Sequence, residues 1–208
     1  MKNKNFKGAL HGWKIHLYLI LVDISMIIKW WFVNIPPKKT RRFFVMEKSN
    51  QAVSEMTKTA LIAALYVVLT VALIPLAYGP IQLRLSEMLN NLTVFNKRYI
   101  WAVTLGCLIA NLWSSMGVVD VVFGTLGTLV MTSISWFLSR YTTSVPLKLT
   151  ISVVICTLMS WSVALELHIM SQAPFWWTFL TVGIGEFIAT ALGAVVIYWI
   201  SRHYGLTK

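Results

Sequence analysis

The sequence predicts an all-α integral membrane protein, a bundle of six transmembrane helices with both the N and C termini cytoplasmic. Three observations carry that expectation. The 208-residue chain is 57% hydrophobic and only 12% charged, with a mean hydropathy of +0.70, too apolar for a soluble domain of this length. Several apolar runs approach the about 20 residues that a spanning helix needs. Basic residues gather at alternate junctions between those runs, as the positive-inside rule requires.

The first 55 residues stand apart. They hold ten of the 18 Lys and Arg residues and one apolar run, IHLYLILVDISMIIKWWFV, interrupted by Asp23 and Lys29. Its flanks are both basic, Lys2, Lys4, Lys7 and Lys14 before and Lys38, Lys39, Arg41 and Arg42 after. A spanning helix would leave one basic cluster outside, and the run lacks the apolar core and cleavage site of a signal peptide. Residues 1–55 are therefore expected to be a basic extension, peripheral or non-native, with Met46 and Met56 as alternative starts. Residues 56–208 are expected to form the membrane domain.

Six segments follow: Thr57–Ala77, Ile81–Phe95, Tyr99–Ser115, Val118–Arg140, Leu147–His168 and Phe175–Arg202. Lys58 stands at the start of the first, Lys97 and Arg98 part the second from the third, and Arg140 and Lys148 mark the junction of the fourth and fifth. Arg202 ends the sixth and Lys208 follows it. The remaining junctions, AYGPIQ, SSMGVV and IMSQAP, contain no Lys or Arg. Only Arg84 breaks the alternation. Trp113, Trp176 and Trp177 at one boundary and Trp101, Trp136 and Trp199 at the other fit interfacial belts.

This pattern also narrows the chemistry. The formal charge of +11 belongs to the extension and the cytoplasmic junctions, so nucleic acid is not an expected partner. No phosphate loop, CxxC, HExxH or GxSxG occurs, and Cys107 and Cys156 lie within apolar runs as small hydrophobes. His168 has no second histidine at ligand spacing. No catalytic residue, metal or cofactor is expected.

Four carboxylates fall within the six segments: Glu87, Asp120, Glu166 and Glu186. With the predicted topology all four sit at or beyond the bilayer centre toward the outside. Glu186, about 11 residues into the last segment, lies ~16 Å along it, near the midplane. A mid-span acid costs roughly 2.5–3.5 kcal/mol on insertion scales, so it faces a cavity or a partner. Arg84 can pair with Glu87 at i,i+3 and orient it, while the other acids cap helix ends or meet interfacial water. One arginine does not neutralise four acids, however. The surplus points to a cationic ligand or one rich in N–H donors. Asn111 falls at a compatible depth, and Asp120, Phe123, Gly124 and Gly127 share a helix face, with tight helix packing as the alternative role for the glycines. Ala60-x-x-x-Ala64 on the first helix makes a flat surface, for packing inside the bundle or against another membrane protein.

Four stretches, YGPIQLRLSEML, GCLIANLWS, DVVFGTLGTL and GEFIATALGA, resemble the QueT family over about residues 56–208. That family comprises queuosine-precursor substrate-binding (S) components of energy-coupling factor transporters. The resemblance implies a six-helix cell-membrane protein that captures a deazaguanine precursor of queuosine from outside. It implies docking onto a transmembrane T subunit driven by two ATPase subunits, so this chain is not itself an enzyme. Ala60 and Ala64 match the family's docking motif, and Arg84, Ser86 and Glu87 its segment after helix one. Asn111, Asp120, Glu166 and Glu186 are the polar groups expected around the ligand, with Tyr78 and Phe123 beside its flat ring. The competing expectation is an autonomous secondary transporter or channel for an organic cation. Small size and the lack of an internal repeat weigh against it.

Overall fold

The computed structural model describes residues 46–77, 82–114 and 116–204. The chain divides into two units, Met1–Ser49 and Asn50–Lys208, and the elements below build the second. Residues 1–45, with most of the expected extension, lie outside the described residues, as does Tyr78. The elements are α1 (Met46–Ala72), α2 (Ile74–Ala77), a 3-10 segment (Leu85–Leu92), α3 (Arg98–Asn111), α4 (Val118–Ser139), α5 (Val145–Ser171) and α6 (Phe175–Tyr204). The expected domain boundary at residue 55 falls inside α1.

Local chemistry sets the boundaries. Pro75 has no N–H to donate within a helix, and the helix breaks at Leu73 between α1 and α2. Gly117 takes φ 64° at the start of α4, a conformation that glycine adopts without steric cost. Pro146 occupies the first turn of α5, and left-handed Gln172 ends it by donating its N–H to the His168 carbonyl at 3.1 Å.

Four stretches, Val53–Ala72, Val118–Ser139, Val145–Ser171 and Phe175–His203, are long and apolar enough to cross a bilayer. Only 22% to 33% of their most apolar windows is buried within the protein. Large apolar side chains such as Leu126, Val195 and Trp199 point outward, while Asn90, Asn91, Thr132, Ser135 and Ser152 are fully buried. Water as solvent would favour the reverse. Lipid favours this arrangement, because apolar surface then meets hydrocarbon and polar groups bond to one another. The chain is a multi-pass membrane protein.

The region Ile81–Phe95, expected as the second span, is not one of these long apolar helices. It holds an eight-residue 3-10 segment, ~16 Å long at about 2 Å per residue, against a hydrocarbon core of about 30 Å. Its polar side chains turn inward. Ser86 accepts a bond from Thr70 at 2.7 Å, Asn91 donates to the Thr190 carbonyl at 2.8 Å, and Thr93 donates to the Asn90 carbonyl at 2.6 Å. Gly193 lets this backbone lie against α6, since a Cβ there would come within 2.6 Å of the Met88 backbone.

The segment nonetheless runs along the bundle. Arg98 at the start of α3 pairs with Glu55 near the start of α1 at 3.3 Å, so both helices begin at the same end. Arg84 lies level with Asn111, the last residue of α3, and with Asp120 at the start of α4. Val94 packs with Leu149 and Ile197 and accepts a bond from Ser139, the last residue of α4. From Arg84 to Arg98 the chain thus runs along the bundle interior, from the level of the end of α3 to its start.

Candidate functional site

A cavity of about 40 Å³ lies inside the bundle, walled by the 3-10 region (Gln82, Arg84, Glu87), α4 (Gly124, Gly127, Thr128, Met131), α5 (Cys156, Met159, Ser160, Ser162, Val163) and α6 (Val182, Glu186). At roughly 10–15 Å³ per water it has room for about three waters. A flat two-ring molecule needs more, and the flexible side chains of Met131 and Met159 are the walls best able to give.

Most polar groups in the wall already have partners. Glu87 Oε1 accepts the Tyr66 hydroxyl at 2.5 Å, and its Oε2 accepts the Asn90 amide. The Arg84 guanidinium donates to Asn111 Oδ1 at 3.0 Å and pairs with Asp120 Oδ2 at 3.6 Å. Asn111 in turn donates to the Asp120 backbone carbonyl at 3.0 Å. Gly124 is required beside it, because a Cβ there would collide with the Asn111 amide. The hydroxyls of Ser160 and Ser162 donate back to their own helix, at 2.7 and 2.9 Å.

Glu186 differs. Its Oε1 is buried with no hydrogen-bond partner, whereas both oxygens of Glu87 are occupied. An unpaired buried polar group costs about 1–3 kcal/mol, more when charged. An acceptor of this kind, lining a cavity, has capacity for a donor that enters the cavity.

The expected residues divide into groups. Arg84, Glu87 and Glu186 line the cavity, and Asn111 and Asp120 stand behind Arg84. Two partners of Arg84 are therefore 27 and 36 residues away in sequence, beyond the neighbouring Glu87 that it was expected to orient. Glu166 is buried on α5, only 2% exposed, outside the cavity lining. Phe123 is 43% exposed. It is not among the residues that line the cavity, although Gly127, four residues on along α4, is. His168 caps the α5–α6 turn through Nδ1 and the Ala173 carbonyl at 2.7 Å. Ala60 and Ala64 are exposed and Ala63 is buried, so the alanine pair looks away from the interior.

Sequence reasoning missed Tyr66, Asn90 and Cys156. Tyr66 sits in an apolar run, where an aromatic gives no polar signal. Asn90 was detectable, since it lies three residues after Glu87 in the same polar segment.

Helices that face lipid around a charged interior cavity define an integral membrane protein of the carrier type. The QueT transporter family matches residues 56–202. The Queuosine precursor transporter QueT of Lactococcus lactis subsp. cremoris (strain MG1363) is 35% identical over 163 residues, which cover 74% of this chain and 96% of that protein. No solved structure matches. The chain belongs to the QueT transporter family.

Proposed function

We propose that this chain is the substrate-binding S component of an energy-coupling factor importer, capturing a queuosine precursor of the 7-deazaguanine type from outside the cell. The observation that carries the reading is Glu186, a carboxylate with a buried, unpartnered oxygen in the wall of an interior cavity. A guanine-like edge presents N–H donors, which a carboxylate accepts and an amide would partly oppose. Glu87, held by Tyr66 and Asn90, serves as a fixed wall. Arg84, held by Asn111 and Asp120, supplies a compensating positive charge.

In this reading the chain crosses the membrane six times with both termini cytoplasmic. The polar 3-10 region makes the second crossing inside the bundle and α3 the third. The Glu55–Arg98 pair supports it, because the chain must return between α1 and α3. The exposed Ala60 and Ala64 form the surface for a transmembrane T subunit, whose two partner ATPases supply the energy. Mass spectrometry of small molecules retained by the detergent-purified protein tests the substrate. A 7-deazaguanine is the expected species, and an unrelated organic cation would favour an autonomous carrier. Co-purification without any T subunit or ATPase from the native membrane would count against the importer assembly.

A further inference from the structure

A second carboxylate remains after the cavity has been described. Glu166 is 2% exposed, and its Oε1 has no hydrogen-bond partner. It follows the cavity-lining Ser162 and Val163 by four and three residues on α5, which puts it on the same helix face one turn further out. The charged groups whose fields reach it are Asp120 and Arg84. Those reaching Glu186 are Glu87 and Arg84. Arg84 is common to both. Both carboxylates thus lie within the field of Arg84, with Asp120 also acting on Glu166 and Glu87 on Glu186.

We propose that Glu166 is a second anchoring carboxylate, which takes a cationic amine at the outer end of the ligand while Glu186 holds an N–H edge at the inner end. The proposal rests on the substrate reading above and deepens it. The site then selects for two features at a fixed separation: a flat donor edge and an ammonium. Burial without a partner is costly for a carboxylate, and an ammonium offers both charge and up to three donors. A metal ion fits the arrangement less well, because no group of three His, Cys, Asp or Glu side chains converges among the described residues.

The test uses the full-length protein in detergent and two compounds with one ring system, 7-aminomethyl-7-deazaguanine and 7-cyano-7-deazaguanine. The nitrile keeps the guanine-like edge and removes the cation. Calorimetry should show the wild type preferring the aminomethyl compound by at least about tenfold. Glu166→Gln should lose that preference by weakening the aminomethyl compound alone, with the nitrile within about twofold of wild type. Glu166→Leu, neutral and of similar size, should give the same pattern and serves if the amide variant does not fold. Equal weakening of both compounds would mean a structural role and overturn the proposal, as would an unchanged preference. A wild type that binds neither compound would instead sink the substrate reading, and this proposal with it.

Discussion

At one end of the bundle Val94, Leu149 and Ile197 close the interior with aliphatic side chains. Toward the other end the same helices bury Arg84, Glu87, Asp120 and Glu166, with Glu186 beside them in the cavity wall. Both ends exclude lipid, so the difference is not one of sealing. An aliphatic plug gains from packing alone. A charged interior must satisfy each group or carry the cost of leaving it unsatisfied, and here Glu87 and Asp120 are satisfied while Glu166 and Glu186 each keep an oxygen without a donor. The charged end holds more acceptor capacity than its own fold uses.

Substitutions at the two ends should separate these roles, and the largest effect on stability is expected at Arg84. Replacing it by Met strips Asp120 of its ion pair and should cost about 3–5 kcal/mol, read as a large drop in the detergent melting temperature. A shift no larger than that of a conservative aliphatic change would show that water already screens the pair. Tyr66→Phe removes one hydrogen bond to a carboxylate and should cost about 1.5–3 kcal/mol. Unfolding in a graded denaturant series measures it, and no loss would mean that Glu87 is held by other groups.

Ile197→Val at the aliphatic end should cost about 0.5–1.5 kcal/mol by loss of one methylene. Ligand affinity should not change, and a weaker affinity there would erase the contrast between the two ends. On the outer surface Ala60→Trp should leave melting and binding near wild type, because Ala60 is exposed. Cellular uptake should nevertheless be lost, since the ring blocks close helix–helix approach. Normal uptake in that variant would remove the alanine face from the docking surface.

The long helices were legible because lipid reads hydropathy directly. Val118–Arg140 was expected and Val118–Ser139 is found, bounded by Gly117 and the basic turn; the last helix begins at Phe175 in both. The 3-10 region was not legible as such. Its residues are polar because they bond to Thr70, Tyr66 and Thr190, partners up to 99 residues away that no local period reveals. The same holds for Arg84, for which only the i,i+3 neighbour was visible locally, while the fold brings up Asn111 and Asp120 as well. An aromatic near a ligand-type cluster suggested a ring slot for Phe123, and the fold leaves that side chain 43% exposed and outside the cavity lining. Glu186 was readable from sequence because an acid at mid-span is costly without a partner or cavity, and the fold places it in the cavity wall.

Glu186→Gln tests the central claim most directly, with affinity and stability measured on the same purified sample. Removing the charge from a buried carboxylate with an unpartnered oxygen should leave the melting temperature unchanged or raise it, because that oxygen already costs the fold stability. Calorimetry with a 7-deazaguanine should show binding weakened at least about tenfold, or about 1.4 kcal/mol. An affinity equal to wild type would contradict the assignment, and so would a weakened affinity that came only with a comparable loss of stability.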